Sequence, residues 1–478
     1  MPRNRSLNKY LGAVCLSMAC AACSLPASVE RTAQTIPAAY SSSPNDSINT
    51  AIIKWNRFFT DPYLTALIDT ALQHNQELNI TMQEIAISQN EVRIRKGEYL
   101  PFAGIKGAAG IDKSPRYTSR GAGDATTEIM PGKEMPDPLP DYLIGIYANW
   151  EIDIWHKLHN AKKAAVARYL ATVEGRNFMV TNLVAEIANS YYELLALDNQ
   201  LDIVQQNISI QNSALSIVKM QKDAAKVTEL AVRRFEAQVL NTQSLQYNIR
   251  QKITETENRI NFLLGRYPQP IARDGHDFAH MMPAVVHAGI PSQLLTNRPD
   301  IRQAEQQMKA AKLDVKVARA MFYPSIGLSA SAGYEAFNPS YLLKTPESIL
   351  YSIAGDLAAP LINRNAIKAN FSSANARQIQ TVYNYERTVL NAYVEVANQL
   401  SMIGNLEKSY DLKSKEVQAL TRSVDVSNEL FKSARADYIE VLLTQRDALE
   451  SKFELVETRK QQMNALVNIY RALGGGWN

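Results

Sequence analysis

The chain has no cysteine beyond position 23. Its three, Cys15, Cys20 and Cys23, all lie near the start. Once a leader is cut there, no pair is left for a structural disulfide, which suits an oxidising compartment such as the periplasm. Long apolar runs are also missing. No stretch of roughly 18–20 apolar residues occurs outside the N-terminus, which excludes a membrane-spanning helix but not a β-barrel, whose strands alternate. Net charge is small: 51 Lys+Arg face 47 Asp+Glu, and Arg3, Arg5 and Lys9 supply three of the four surplus positives. So balanced a chain gives no electrostatic case for nucleic acid as a partner. Phosphate-cradling glycine loops and a serine–glycine nucleophile elbow are absent, so no enzyme is expected. His276-Asp277 and His280 have i, i+4 spacing, but zinc needs a third and fourth ligand; no metal and no cofactor is expected.

Residues 1–9 are basic, 10–19 are mostly apolar, and Ala21-Ala22-Cys23 follows. This is the n-region, h-region and small-residue cleavage site of a secretory signal, here residues 1–22. It resembles a bacterial lipoprotein signal, in which the cysteine after two small residues, Cys23, becomes the lipidated first residue; Cys20 is the alternative, and an ordinary signal peptide cut nearby is the reading without a lipid. Ser24 resembles the sorting signal for the outer membrane. An acyl chain adds roughly 0.8 kcal/mol per buried methylene and tethers a protein without a transmembrane helix. Residues 23–50, rich in Ser, Ala and Pro, read as an irregular lead-in.

The chain repeats itself. Ala185-Glu186-Ile187-Ala188-Asn189 matches Val394-Glu395-Val396-Ala397-Asn398 at an offset of 209, which also pairs Ala225 with Ala434, Val232 with Val441, and Leu264-Gly265 with Leu473-Gly474. A shared, ungapped offset is the mark of duplication. Ile187, Leu194, Leu201, Ile208 and Leu215 recur every seven residues, as do Val396, Ile403, Tyr410, Val417 and Val424. A sustained seven-residue period means helices laying one seam against neighbours. No proline interrupts 158–266 or follows Pro360. The spacing predicts helical hairpins over 157–265 and 364–474, turning near Ala225-Lys226-Val227-Thr228 and Ala434-Arg435-Ala436-Asp437. A helix over 157–224 would run about 100 Å. Upstream, Asn75-Gln76-Glu77-Leu78 aligns with Arg298-Pro299-Asp300-Ile301, and Pro101 with Pro324, at offset 223. Each opens a helix that stops before a proline. Repeat one is expected at 51–270, a linker at 271–290, and repeat two at 291–478.

Between these helices the period changes to two. Ile326, Leu328, Ala330, Ala332 and Tyr334 alternate with Gly327, Ser329, Ser331, Gly333 and Glu335. Tyr142, Ile144, Ile146, Ala148, Trp150 and Ile152 alternate with Leu143, Gly145, Tyr147, Asn149 and Glu151. Strands are expected at 142–152 and 325–335, with weaker ones at 102–111 and 349–358. About ten residues cross a bilayer when tilted. Four strands cannot close a membrane barrel, and an open sheet in lipid leaves its edges unpaired, so spanning strands demand assembly. Two soluble hairpins packed on the helices are the alternative.

Several blocks resemble outer-membrane efflux proteins, the TolC-like channels, in the lipoprotein branch that partners resistance-nodulation-division transporters. They are Ile290-Pro291-Ser292, Arg298-Pro299-Asp300-Ile301, Phe322-Tyr323-Pro324, Trp150-Glu151-Ile152-Asp153, Tyr438-Ile439-Glu440-Val441-Leu442 and Ala472-Leu473-Gly474-Gly475-Gly476-Trp477. The resemblance runs from about Trp55 to the C-terminus. It implies a mainly α fold with membrane β: a homotrimer whose twelve strands close one β-barrel continuous with a periplasmic α-helical barrel. It implies a passive duct, lipid-anchored in the outer membrane, that takes drugs or other small toxic compounds from an inner-membrane transporter through a periplasmic adaptor. An exit channel for type I protein secretion shares the fold, and a soluble periplasmic coiled-coil scaffold is the reading from another class. Three positions depart from the family pattern: His156 stands in place of a glycine, Ala231 in place of an acid, and Ser433-Ala434 lacks a glycine.

Candidate sites lie at the helical turns. Asp425, Glu429 and Asp437 cluster near the second turn, and in a threefold assembly each acid repeats as a ring able to gate ions. Arg422, Lys432 and Arg435 are their candidate partners. Thr228 and Glu229, with Asp437 and Tyr438, mark the two tips where an adaptor would bind.

Overall fold

The computed structural model describes residues 37–40, 49–275, 278, 281, 286–362, 364–433 and 435–477. The principal elements are α1 (Pro62–His74), α2 (Gln76–Tyr99), β1 (Phe102–Asp112), β2 (Leu139–Ile152), α3 (Lys157–Asp223) and α4 (Glu229–Leu263). The second half adds α5 (Pro299–Ala320), β3 (Ser325–Ala336), β4 (Ile349–Ala358), α6 (Asn365–Lys432) and α7 (Tyr438–Ala472). They fall into two compact units. Among the described residues, one holds Ile87–Tyr169 and Gln306–Val382; the other holds those from 37 to 86, Leu170–Glu305 and those from Tyr383 onward. Each unit draws on both repeats, so the duplication does not divide the chain into two bodies.

Local chemistry sets the helix starts. Asp61 caps α1, accepting the Tyr63 and Leu64 N–H groups at 2.8 and 3.3 Å, with Pro62 in the first turn. Asn75 accepts the Leu78 N–H at 2.9 Å at the head of α2. The Asp153 carboxylate accepts the Leu158 and His159 N–H groups at 3.0 and 2.7 Å and so caps α3 from four residues upstream. His156 lies between, at φ 55°. That left-handed conformation favours glycine, which explains the residue type the family pattern prefers there.

In the helical unit the heptad seam of α3 is the core. Val184, Ile187, Tyr191, Leu194 and Leu195 are buried against Leu64, Ile68 and Ala71 of α1, Ile260 of α4, and Met463, Val467 and Tyr470 of α7. A second cluster joins Ile301, Ala392, Val396, Ile469 and Leu473. Burying a side chain of this size contributes about 1.5–3 kcal/mol.

Equivalent contacts recur in the two repeats. Asn75 Nδ2 donates to the Leu263 carbonyl at 2.8 Å; Arg298, 223 positions on, donates to the Ala472 carbonyl at 2.8 Å. Gly265 (φ 69°) lies so close to the His74 carbonyl that a Cβ would stand 2.4 Å from it. Gly474 (φ 91°) lies likewise against the Asn297 carbonyl, at 2.6 Å. Arg298 is buried and also pairs with Asp300 and Glu395, each at 2.7 Å. Three blocks far apart in sequence therefore meet on one guanidinium.

The sheet runs β1-β2-β3-β4, every neighbour antiparallel. Phe102 faces Asn149, Tyr142 faces Ala336, and Ser325 faces Ala358 in register. β2–β3 is the pairing that joins the repeats. β2 begins at Leu139, three residues before the alternation becomes visible, because β1 pairs with it as far as Asp112↔Leu139. The first connector has structure of its own, a short helix Ser119–Asp124 and a ribbon of Glu128–Met130 with Lys133–Glu134.

Candidate functional site

Register sorts the sheet into two faces. On one lie Ile105, Ile144, Ile146, Leu328, Tyr351 and Ile353 with the other residues in phase with them, and no position on this face is charged. On the other lie Lys106, Asn149, Glu151, Ser329, Ser331, Glu335, Ser352 and Asp356. The apolar face is uncovered: Ile105 is 81% exposed, Ile146 62% and Ile353 80%. Contiguous apolar surface of this kind marks contact with lipid or a partner. The polar face is small-featured. Ser331 and Ser352 hydroxyls lie 2.8 Å apart across β3–β4, and the Tyr147 ring lies against Gly104, where a Cβ would stand 2.9 Å from it. Both outer edges, on β1 and β4, lack a partner strand among the described residues.

Two tryptophans tie the foot of the sheet to the helix ends that feed it. Trp150 Nε1 donates to the Tyr99 carbonyl at 3.2 Å, ahead of Pro101. Trp155 Nε1 donates to the Pro324 carbonyl at 2.7 Å and stacks on Tyr323 at 4.6 Å. The Trp150 block thus acts on both repeats, a role its position in the sequence does not disclose. The two tryptophans five residues apart beside a strand end are the only signal.

The turns are closed alike and charged differently. The Lys226 N–H donates to the Gln221 carbonyl and the Arg435 N–H to the Leu430 carbonyl, both at 2.8 Å and 209 positions apart. Ala225 takes the left-handed φ of 57° that such a helix end requires. Ala434 lies outside the described residues. Thr228 is the N-cap residue of α4, without a side-chain cap bond. Glu229 pairs with Lys222 at 2.5 Å across the turn and with Arg233 at 2.9 Å along the helix. The Lys222 hydrogen bond, with the charges of Lys222 and Arg233, holds its carboxyl below the usual range. At the second turn Phe431 replaces that lysine and Tyr438 that glutamate. Both pack with Val218, Val232, Phe235 and Val441. Ala231 is fully buried in the same cluster, where an acid would lack a partner.

Asp425 and Glu429 lie exposed on α6, and Asp437 is the exposed N-cap residue of α7. The fold brings all three to one end of this hairpin. Among the described residues none has an ion-pair partner, Arg422, Lys432 and Arg435 included. Cys23, His276, Asp277 and His280 lie outside the described residues.

Comparison with known proteins follows the same lines. The family model described as outer membrane efflux protein matches residues 67–266 and 290–475. The solvent efflux pump outer membrane protein SrpC of Pseudomonas putida is 28% identical over 433 residues, covering 90% of this chain and 89% of its own. The cation efflux system protein CusC of Escherichia coli is 26% identical over 467 residues, covering 97% and 98%. A crystal structure of a membrane protein from Pseudomonas aeruginosa superposes with a TM-score of 0.85 at 24% identity, over 95% of this chain and 100% of that one. The chain belongs to the outer membrane efflux protein family, and it is the outer-membrane component of an efflux pump.

Proposed function

We propose that three copies close a single duct. The observation that carries this is a four-stranded sheet that, among the described residues, has one uncharged, uncovered face and two unpaired edges. Pairing β4 of one copy with β1 of the next satisfies every edge. Twelve strands then form a barrel with the apolar face toward lipid and the polar face toward water. The long hairpins continue the wall as an α-helical barrel in the periplasm, and a lipid on Cys23 adds a tether. Asp425, Glu429 and Asp437 become rings of three that set a gate. Thr228, Glu229, Asp437 and Tyr438 meet a periplasmic adaptor, which joins the duct to an inner-membrane transporter. The duct carries out no chemistry of its own. SrpC is a solvent pump protein and CusC a cation system protein, so the fold serves unlike cargo and selection falls to the transporter.

The test is conductance of the purified, acylated protein in a planar bilayer, before and after Asp437→Ala. Discrete pores whose gating changes in the variant are expected. A water-soluble monomer that makes no pore and ignores lipid overturns the proposal.

A further inference from the structure

In the unit that holds the sheet, the sequence stretches 87–100, 153–169, 306–323 and 361–382, which contain its helices and their joins to the strands, carry fourteen arginines and lysines against four acids. The chain as a whole is nearly balanced, so the surplus is local. α5 concentrates it. Between Met308 and Ala320 the exposed residues are Lys309, Lys312, Lys316 and Arg319, and all are basic. Their spacing of i, i+3, i+7 and i+10 is one helical face. Ala311, Val315 and Ala318 are buried on another.

The duplication then acts as a filter. The offset of 223 carries Lys316 onto Arg93 and Arg319 onto Lys96, both exposed on α2, but carries Lys309 and Lys312 onto the uncharged Ala86 and Gln89. The two cations kept in both repeats are those nearest a strand. Among the described residues none of Arg93, Lys96, Lys316 and Arg319 has an acidic partner; Arg93 touches Asn90 at 3.4 Å. Lys96 and Arg319 precede the strand-entry prolines Pro101 and Pro324 by five residues, and Arg93 and Lys316 by eight. At 1.5 Å per residue this places them about 8 and 12 Å below the strands. A headgroup layer is roughly 5–7 Å thick beyond the hydrocarbon, and long basic side chains reach back toward it. Partly exposed Tyr99, Trp150 and Trp155 lie at the strand entry, where aromatic rings mark a membrane–water boundary.

We propose that Arg93, Lys96, Lys316 and Arg319 form a collar that binds the phosphates of anionic phospholipid headgroups, in the leaflet on the helical side of the membrane. This rests on the reading that the sheet crosses the bilayer as an assembly. In a trimer six repeats set twelve cations in one ring around the foot of the barrel, and the local field favours anionic over zwitterionic lipid.

The experiment uses the full acylated protein purified in detergent with equal phosphatidylglycerol and phosphatidylcholine. Retained lipid is measured by mass spectrometry, and pore formation is measured on the same sample. Wild type is expected to retain phosphatidylglycerol selectively. The quadruple variant R93Q/K96Q/K316Q/R319Q is expected to lose that preference at least five-fold while still forming pores. If the quadruple variant does not assemble, the double variant K96Q/R319Q tests the same claim, with a loss of at least two-fold expected. K309Q/K312Q is expected to keep the preference. A variant that forms pores and retains phosphatidylglycerol like wild type overturns the collar and leaves the barrel reading standing. Unchanged lipid with altered ion selectivity overturns it too, because the cations would then face the lumen. Displacement of the lipid by inorganic phosphate alone overturns the headgroup assignment. A wild type that forms no pores removes both proposals.

Discussion

Asn75 and Arg298 hold the same place in the two repeats: each donates a hydrogen bond at 2.8 Å to the last turn of a long returning helix, at Leu263 and Ala472. The neutral amide makes one such bond and caps its own helix. The guanidinium makes the bond and neutralises Asp300 and Glu395 as well. Arg298→Ala leaves the Asp300 carboxylate, 15% exposed, without its cation and the Ala472 carbonyl without its buried donor, while the more exposed Glu395 adds little; a loss of about 3–5 kcal/mol is expected. Asn75→Ala is expected to cost about 1–2 kcal/mol, the scale of a lost cap and one buried bond. Thermal unfolding midpoints in detergent give the order; equal losses would contradict it.

Glycine is preferred where His156 and Ala225 stand, at φ 55° and 57°. His156→Gly and Ala225→Gly are each expected to stabilise by about 1 kcal/mol, the strain of a non-glycine residue in the left-handed region less the entropy glycine brings. Gly474→Ala runs the other way. A Cβ there meets the Asn297 carbonyl at 2.6 Å, so a loss of more than about 2 kcal/mol follows. Midpoints that fall in either glycine variant would refute the first part.

The two sheet faces differ in what they tolerate. Ile146→Lys places a charge on the uncharged face and is expected to cost about 2–4 kcal/mol in the bilayer, seen as loss of membrane-inserted protein. Ser352→Lys, on the polar face beside Ser331, is expected to insert normally. Equal insertion of the two would mean that the apolar face does not meet lipid.

The first helical turn has an acid limit. The carboxyl of Glu229 is held below its usual range by Lys222 and Arg233. A depressed folded-state value means that the contribution is present above the unfolded carboxylate range, about 4.3, and is lost as pH falls through the lowered value. Hydrogen exchange at the end of α3 is expected to speed up only in acid, and Glu229→Gln is expected to remove that pH dependence. The second turn, closed by Phe431 and Tyr438, is expected to show no matching acid step.

Much of the architecture was already written in periodicity. Apolar residues every seven positions from Ile187 to Leu215 require a helix packed along one seam, and Ile326 to Tyr334 alternating with glycine and serine requires a two-faced strand. Those inferences need only backbone geometry. β1 was harder to read because Gly104, Gly107 and Gly110 dilute its alternation, and its partner strand supplies the register instead. The adjacency of β2 and β3, the meeting of Arg298 with Glu395 and Ala472, the grip of Trp155 on Pro324, and the pairing of Lys222 with Glu229 were beyond reach of the string. Each depends on which distant segments become neighbours, and periodicity says which face is buried without saying against what. Sequence alone therefore determined the elements, their faces and their duplication, because these follow from local backbone repeat. Tertiary structure alone decided the partners, because a hydrogen bond or ion pair exists only once folding has placed its two ends within reach.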